Sequence, residues 1–381
     1  MIKTANRLHT VSEYYFSKKL KEVRQLAAQG KPIINMGIGS PDLDPPETVI
    51  KALQEAVSDP GAHQYQSYQG LPELRQEMVN FYKKYFNTSL DSNTEVLPLM
   101  GSKEGIMHIS MAFLNKGDEV LIPNPGYPTY TSVTHMVEAV PRYYDLTEKN
   151  NWLPDLKELE KQDLSKSKLI WVNYPHMPTG IKGDKVLFKE LIAFAKKHQI
   201  LIVNDNPYSF ILNDTPMSLL SIEGSKEVAI ELNSLSKTFN MAGWRVGAVL
   251  GKEEYINAIL KVKSNMDSGM FYGIQKGAIE AFKSSEEWFK NLKNIYNERR
   301  ELIFQLADKL NCTYDKNTAG MFVWGKLPIE AGSSQEFIDA VLYNKSVFIA
   351  PGNIFGSNGE GYIRFSLCVD KEKIKEVIKR F

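Results

Sequence analysis

The sequence is poor in several features that define common classes of protein. Its two cysteines, Cys312 and Cys368, lie far apart and form neither a CxxC pair nor a disulfide framework. No stretch approaches the roughly 20 apolar residues that a membrane-spanning helix needs, and the N-terminus lacks the apolar core of a signal peptide. We therefore expect a cytoplasmic protein that makes no membrane contact.

An excess of charge of one sign is also missing. Lys and Arg total 46 against 45 Asp and Glu, which gives a net charge of +1. The Lys-rich stretches 252–263 and 283–300 contain apolar and acidic residues as well, a pattern typical of solvated helix faces. Nucleic acid is therefore not an expected partner. The six histidines do not fall at the spacing of metal ligands, so no metal site is expected either.

The order of apolar runs predicts an α/β protein. Strand-like runs alternate with helical patterns between about residues 95 and 250, which indicates a mostly parallel central sheet with helices on both faces. A helix capped by Asp184 and ending in Lys196–His198 is one of the intervening elements. The predicted strands are 95–100, 119–122, 142–144, 168–172, 200–204, 228–232 and 246–250.

The pattern changes after residue 280. A long charged amphipathic helix is predicted at 286–310, and short strands follow at 321–324, 347–350 and 362–367. A chain of 381 residues can hold one large and one smaller domain. We expect the large domain at 47–282, and a smaller α+β domain formed by 1–46 together with 283–381.

One lysine follows a predicted strand in an unusual setting. In the segment SLSKTFNMAGWRVG at 234–247, Lys237 follows serines and precedes Arg245, with glycines that allow close approach of the backbone. A carbonyl cofactor needs a lysine to form a Schiff base, and its phosphate needs hydroxyls and a guanidinium. A lone loop lysine is usually solvated, so it is the whole segment that indicates a cofactor site.

This segment resembles the lysine motif of pyridoxal-phosphate (PLP) enzymes of the aspartate aminotransferase family. The resemblance implies the fold of the fold-type-I PLP transferases, with PLP as cofactor. It also implies that Lys237 forms the Schiff base and moves the proton during catalysis. Ser234, Ser236 and Arg245 are then the groups that hold the phosphate.

Two further segments resemble the same family, in its order along the chain. GSKEG at 101–105 follows a strand and opens a helix, whose N-terminal amides bind phosphate, and Ser102 and Lys103 are the side chains assigned there. An ordinary serine N-cap explains that turn as well. NPGYPTY at 124–130 resembles the segment whose aromatic ring stacks on the pyridine, and the match gives this role to Tyr127.

The polar groups expected around the pyridine ring come from two other segments. DNPY resembles the family's Asp-x-x-Tyr, so that Asp205 keeps the ring nitrogen protonated and Tyr208 bonds the ring hydroxyl. A turn-forming aspartate is the alternative. NYPHMPTG at 173–180 resembles the family's Asn-Pro-Thr-Gly, but Met177 stands where the family has Asn. A thioether does not donate a hydrogen bond, so Asn173 is the candidate substitute.

The remaining assignments concern the substrate and the neighbouring subunit. In YQSYQGLPELR, Tyr65 resembles the tyrosine that reaches the phosphate of the partner. Arg364, in IRFS, resembles the arginine that forks onto the substrate α-carboxylate, and Gly39 resembles the glycine whose amide touches it. Tyr15, with its aromatic neighbours, is a candidate for an apolar side-chain pocket, although a core or dimer contact explains these rings equally well.

The resemblance predicts an aminotransferase that acts as a homodimer with shared active sites. It would move the amino group of an L-amino acid, aromatic or of broad specificity, to a 2-oxo acid such as 2-oxoglutarate. A PLP-dependent C–S β-lyase on the same fold is one alternative, since a fold does not fix a reaction. A non-catalytic PLP-sensing regulator is another. The sequence shows no unambiguous second cation for a distal carboxylate.

Overall fold

The computed structural model describes residues 2–11 and 13–381 and contains sheets of seven, four and two strands. The strands are β1 (Ile34–Asn35), β2 (Val96–Leu99), β3 (Glu119–Asn124), β4 (Val140–Asp145), β5 (Ser167–Val172), β6 (Leu201–Asp205), β7 (Ala229–Ser234), β8 (Gly247–Gly251), β9 (Thr313–Tyr314), β10 (Phe322–Lys326), β11 (Val347–Phe348), β12 (Ala350–Pro351) and β13 (Tyr362–Ser366). The α-helices are α1 (Tyr15–Ala28), α2 (Glu47–Ala56), α3 (Pro72–Phe86), α4 (Ser102–Phe113), α5 (Pro128–Met136), α6 (Leu156–Leu159), α7 (Lys185–His198), α8 (Leu235–Thr238), α9 (Glu253–Lys263), α10 (Tyr272–Phe282), α11 (Glu286–Lys309), α12 (Ser334–Lys345) and α13 (Lys371–Arg380).

The large sheet is mostly parallel, as the sequence predicts. Its strand order is β2-β8-β7-β6-β5-β3-β4, and the neighbours from β7 to β4 pair in parallel. Strand β8 runs antiparallel to both β7 and β2. All strands except β8 therefore end at one edge of the sheet, and β8 begins there. The loops that carry the predicted site residues meet at this edge.

Alternating side chains of the strands pack into two separate cores. On β5, Ile170 and Val172 join one core, and Leu169 and Trp171 join the other. The first core receives buried residues of α3, α7 and α10, and the second receives those of α4, α5 and α9. The sheet is thus covered on both faces, which explains why most residues of its central strands are apolar.

Helix α7 shows how local sequence sets these elements. The side chain of Asp184 accepts a hydrogen bond from the backbone of Leu187 at 2.8 Å and so caps the first turn. Buried leucines and phenylalanines recur along one face, and Lys196, Lys197 and His198 lie in the last turn. Their positive charge suits the negative end of the helix dipole. The helix predicted after Asp184 is confirmed.

The C-terminal part carries the four-stranded antiparallel sheet β12-β13-β10-β9. The run predicted as one strand at 347–350 is two, because its two halves pair with different strands. Strand β11 pairs in parallel with β1, whereas β12 pairs with β13. The N-terminal helix α1 also contacts α12, through a 2.7 Å ion pair between Lys19 and Asp339. These contacts support the predicted grouping of 1–46 with 283–381, which remains a prediction.

Several element bounds differ from the sequence prediction by one or two residues. Strand β4 spans 140–145 rather than 142–144, β3 continues to Asn124, and α11 ends at Lys309. None of the helices in residues 2–11 and 13–381 has the length and apolar composition needed to cross a bilayer.

Candidate active site

A cavity of about 600 Å³ lies at the carboxyl edge of the large sheet. It brings together most of the residues that the sequence singles out. The predicted residues that line it are Gly39, Ser102, Lys103, Tyr127, Asn173, Asp205, Tyr208, Ser234, Ser236, Lys237, Arg245 and Arg364. Tyr15 and Tyr65 are the two predicted residues that do not.

Lys237 lies on the short helix α8, just beyond the end of β7. Its Nζ donates a hydrogen bond to the backbone oxygen of Gly39, so a substrate-side loop and the lysine already meet. Burial lowers the pKa of the Lys237 ammonium, and the positive charges of Arg364 and Arg245 lower it further. A larger share of neutral amine makes the lysine both a nucleophile and a base.

A compact anion-binding corner lies beside Lys237. The side chain of Ser234 accepts a hydrogen bond from the backbone N–H of Ser236 at 3.2 Å, which fixes the first turn of α8. Arg245 has φ of 57° and donates from Nη1 to Ala242 at 2.9 Å. Its Nη2 packs so closely on Gly101 that a Cβ there would collide with it. Hydroxyls, a guanidinium and the N-terminus of α4 therefore converge, as a phosphate requires.

Asp205 ends β6 and is buried. Its Oδ2 accepts a 2.9 Å hydrogen bond from the Tyr130 hydroxyl, while its Oδ1 has no hydrogen-bond partner in the described part of the chain. Burial raises the pKa of Asp205 to about 6, and the hydrogen bond from Tyr130 opposes this rise. A buried carboxylate oxygen without a donor suits a ligand that presents a protonated nitrogen. The residues present therefore fit PLP.

Two tyrosines flank this carboxylate. The Tyr127 ring lies edge-on to Tyr130, with centroids 5.5 Å apart, and burial raises the pKa of its hydroxyl. Tyr208 packs edge-on against Phe322 at 5.9 Å, and burial raises its pKa as well. Both phenols thus keep their protons at neutral pH and can donate hydrogen bonds.

Asn173 is already held at both ends of its side-chain amide. Its Nδ2 donates to the backbone oxygen of Asp205, and its Oδ1 accepts from the backbone N–H of Met177 at 2.7 Å. The side chain therefore ties the end of β5 to the end of β6. Its assignment as the substitute donor to the ring hydroxyl stays a prediction, and any such bond would use the second hydrogen of Nδ2.

Arg364 projects from β13 into a cage of aromatic rings. Its guanidinium carbon is 3.9 Å from the ring centroid of Phe322 and 4.6 Å from that of Phe355. Nη2 donates to the backbone oxygen of Gly37 at 2.7 Å, and Nη1 donates to the sulfur of Met177 at 3.2 Å. Burial lowers the pKa of Arg364 to about 10, so it remains charged at neutral pH and suits a carboxylate.

Of the three N-terminal aromatic residues, the predicted Tyr15 is the one that does not line the cavity. The Tyr15 hydroxyl bonds Gln335 at 3.3 Å and lies away from the cavity, whereas Tyr14 and Phe16 line it. The Nζ of Lys103 lies 4.9 Å from the ring centroid of Tyr14. Residues of this kind carry no motif, and only the packing of α1 against α12 selects which side chain faces inward.

Tyr65 lies on the surface of the chain and is 90% exposed. It lines a separate shallow groove with His63, Gln64, Gln66, Ser268, Gly269, Met270 and Phe271. Nothing in one chain brings its hydroxyl to the cavity, so its predicted role depends on a second subunit.

One group of potential metal ligands occurs among the described residues, although the spacing of histidines in the sequence indicated none. Ligand atoms of Glu104, His108 and Asp267 lie within 4.8 Å of one another. Asp267 already pairs with the ammonium of Lys263 at 2.9 Å, and both side chains are buried. This lysine supplies the positive charge that a cation would bring, so the arrangement gives no reason to expect a metal.

Comparisons with known proteins identify the family. Residues 31–381 match the family model described as aminotransferase class I and II. An LL-diaminopimelate aminotransferase from Nitratidesulfovibrio vulgaris is 42% identical over 381 residues, covering 99% of this chain and 98% of that protein.

Solved structures are similar over the whole chain. A substrate-bound structure of BacF from Bacillus subtilis superposes with a TM-score of 0.96 at 35% identity, covering 100% of this chain and 97% of that one. An aromatic aminotransferase from Pyrococcus horikoshii gives a TM-score of 0.87 at 29% identity, covering 95% and 97%.

Proposed function

Because this chain belongs to the class I and II aminotransferases, we propose that it moves the amino group of an L-amino acid with an aromatic or other apolar side chain to a 2-oxo acid such as 2-oxoglutarate. Its activity as a PLP-dependent aminotransferase follows from the family, and the choice of side chain is the proposed part. The observation that carries the proposal is the placement of Lys237, Asp205 and Arg364 around one cavity with aromatic walls.

Lys237, Arg364 and Asp205 have separate roles in the proposed reaction. PLP, when bound, supplies an electron sink for the charge that develops on the substrate Cα. Lys237 can take and return a proton at Nζ, because burial favours its neutral form. Arg364 offers its guanidinium to the α-carboxylate and so orients the substrate. Asp205 offers its unpartnered oxygen to the ring nitrogen of the cofactor.

The cavity wall next to Arg364 supports an apolar substrate side chain. Phe322 and Phe355 stack on the guanidinium, Phe16 lies 5.5 Å from it, and Tyr14 closes the same side. Burying apolar surface against such rings contributes about 25 cal/mol per Å². A phenyl or phenol side chain would therefore gain more here than a charged one.

Lys103, which the sequence predicts at the phosphate-binding turn, is also a candidate for the second cation. It lines the cavity between Arg245 and the ring of Tyr14. Burial and the nearby Arg245 lower its pKa, but an approaching carboxylate favours the charged form. The distal carboxylate of 2-oxoglutarate can thus pair with Lys103, which supports a dicarboxylic acceptor alongside an aromatic donor.

LL-diaminopimelate is a second candidate donor, favoured by the names of relatives such as the N. vulgaris protein. Its distal carboxylate would suit Lys103 as well. Its distal ammonium would need a buried acceptor, yet Asp205 is the one carboxylate lining the cavity in the part of the chain that the structure describes. The exposed groove around Tyr65, which a partner could contribute, is lined by no carboxylate among those residues either. These absences make the aromatic donor the stronger proposal.

A panel of amino donors tests the proposal. Half-reactions with phenylalanine, tyrosine, glutamate and LL-diaminopimelate are followed by the change in cofactor absorbance, and the 2-oxo acid product is identified by mass spectrometry. We expect the highest kcat/KM for the aromatic donors. The aromatic assignment fails if LL-diaminopimelate exceeds phenylalanine tenfold or more. Release of pyruvate and ammonia from a cysteine conjugate as the faster reaction would instead favour a β-lyase.

Lys103→Met should weaken the binding of a dicarboxylic acceptor but not that of a monocarboxylic one. We expect KM for 2-oxoglutarate to rise about tenfold, which is roughly 1.4 kcal/mol, while KM for phenylpyruvate changes less than twofold. Lys116→Met, at a side chain that is 80% exposed, serves as the matched control. PLP content is measured for each variant, because a phosphate role for Lys103 would lower PLP affinity rather than discriminate between acceptors.

We also propose that the enzyme is a homodimer with shared active sites. Large apolar side chains are exposed around the groove, with Tyr65 at 90%, Met266 at 58%, Tyr68 at 44% and Phe271 at 40%. An exposed apolar patch of this kind is typical of an interface. A cytoplasmic location belongs to the same proposal, and two unpaired buried cysteines support it.

Tyr65→Phe tests the shared site. If its hydroxyl bonds the phosphate of a partner subunit, the variant should bind PLP about tenfold more weakly, with its dimer mass unchanged in sedimentation. Tyr343→Phe, at a tyrosine that is also on the surface, should keep parental affinity. In mixed dimers with Lys237→Ala, the subunit that retains Lys237 should show parental affinity, because its partner supplies an intact Tyr65. A monomeric parent protein would overturn the proposal.

A further inference from the structure

A buried carboxylate lies directly behind Asp205. Glu231, on β7, is 0% exposed and forms no ion pair within residues 2–11 and 13–381. Removing a carboxylate from water is expensive unless its oxygens are hydrogen-bonded. Such a residue, flanked by the apolar Ile230 and Leu232 on β7, therefore requires compensation from its surroundings.

The compensation comes entirely from neutral donors. One oxygen of Glu231 accepts from the Tyr82 hydroxyl at 2.8 Å and from Nδ2 of Asn206 at 3.3 Å. The other accepts from Nδ2 of Asn204 and from the backbone N–H of Leu219, both at 2.9 Å. Four donors from three segments, α3, the end of β6 and the stretch before β7, meet at a single carboxylate.

Two of these donors are the residues on either side of Asp205. In the strand pairing, Asn204 lies opposite Glu231 and Asp205 lies opposite Leu232. Successive side chains of a strand point to opposite sides, so Asn204 faces Glu231 while Asp205 faces the cavity. We call the four hydrogen bonds to Glu231 the clamp. The amide oxygen of Asn204 also accepts a hydrogen bond from the backbone N–H of Tyr174 at 3.2 Å, which links the clamp to the loop after β5.

We propose that Glu231 is a positioning residue for Asp205: through Asn204 and Asn206 it fixes the backbone that presents the Asp205 carboxylate to the cofactor nitrogen. The inference rests on the proposed function, because it assumes that Asp205 meets that nitrogen. Glu231 itself is separated from the cavity by the strand and does not line it.

The negative charge of Glu231 also acts on Asp205 directly, by raising the pKa of its carboxyl group. Besides burial, two groups act on the pKa of Asp205: the hydrogen bond from Tyr130 lowers it, and the negative charge of Glu231 raises it. A nearby negative charge favours a bound proton, so Glu231 helps to keep a proton between Asp205 and the cofactor nitrogen.

Glu231→Gln separates this role from simple packing. The variant keeps the shape, but it removes the charge and turns an amide N–H₂ toward donors, which breaks part of the clamp. In the holoenzyme containing ¹⁵N-labelled PLP, the pyridine ¹⁵N signal should move toward the unprotonated position, and kcat should fall about tenfold with KM for the amino donor within twofold. A parental ¹⁵N signal together with kcat within twofold overturns the proposal.

Tyr82→Phe is the matched control, because it removes one donor to Glu231 but leaves the charge and both asparagine contacts. It should keep the parental ¹⁵N signal, and an equal shift in this variant would overturn the proposal by showing that any loosening suffices. If Glu231→Gln does not fold, Asn206→Ala decides in its place: the same direction of ¹⁵N shift supports the clamp, and no shift overturns it. Failure of the proposed function is distinguishable, since Asp205→Asn would then also leave the ¹⁵N signal unchanged.

Discussion

Lys237→Ala should reduce turnover by roughly four orders of magnitude or more, while the protein stays folded and still holds PLP without a covalent bond. Acid–base catalysis alone contributes about 10²–10⁴-fold, and the variant also loses the amine that forms the Schiff base. The buried site contains other cations, but Lys103 and Arg245 lie at the anion-binding corner rather than beside Gly39. Single-turnover kinetics with saturating donor measure the loss.

Borohydride reduction followed by peptide mapping provides the matching structural readout. Parental enzyme should carry the reduced label on Lys237, and Lys237→Ala should carry none. Lys252→Ala, at an exposed lysine pairing with Glu254, should retain parental label and rate. Label on another lysine of the parent, or activity of the Lys237 variant within tenfold of parental, would show that the nucleophile is elsewhere.

Asp205→Asn should lower kcat about 10²-fold, roughly 3 kcal/mol of barrier, while the covalent link to Lys237 still forms. An amide cannot hold the cofactor nitrogen protonated as a carboxylate does. Tyr130→Phe removes only the 2.9 Å hydrogen bond to Oδ2 and should cost much less. A kcat near the parental value in Asp205→Asn would reduce this residue to a turn former.

The cofactor-free protein provides a second readout for the same substitution. Burial raises the pKa of Asp205 from 3.8 to about 6, so the folded protein keeps a proton that the unfolded chain has already released. Stability contributed by this group therefore falls as pH rises from about 4 to 6, by up to roughly 3 kcal/mol. The Tm of the Asp205→Asn apoprotein, relative to parental, should rise over that interval. If the difference in Tm between the variant and the parental apoprotein did not change with pH, the raised pKa of Asp205 would be contradicted.

The sequence predicted the large sheet well because most of its strands contain an apolar run between polar turns. It did not predict β1 and β9, which are two residues long and carry no periodicity. An apolar run predicts a strand but not whether it pairs in parallel or antiparallel, so the antiparallel pairing of β8 could not be predicted either. The split of the run predicted at 347–350 depends on which strands its two halves pair with, β1 and β13, and an apolar run does not carry that information.

The site was predictable where one short segment carries both a polar residue and the strand end that positions it, as at Lys237 and Asp205. It was not predictable where two distant segments meet. The hydrogen bond from Tyr130 to Asp205 and the contact of Arg364 with Met177 depend on packing between elements. The orientation of α1 is a further case: Tyr15 shares a helix face with Lys19, and the pairing of Lys19 with α12 turns that face away from the cavity.

The pairing of β1 with β11 has a consequence for how the protein becomes functional as it is synthesised. The residues predicted to face the cofactor, from Ser102 to Arg245, lie in one continuous stretch, whereas the substrate side takes Gly39 from near the start of the chain and Arg364 from near its end. Chains fold from the N-terminus as they emerge, and contacts of large sequence separation form late.

Residues around β1 must therefore wait for β11, because Ile34 pairs with Val347. Until β13 emerges, the growing chain contains every predicted cofactor contact of its own subunit but has no guanidinium for the substrate. The two sides of the site thus become complete at different stages of synthesis, the cofactor side once Arg245 has been added and the substrate side only with Arg364.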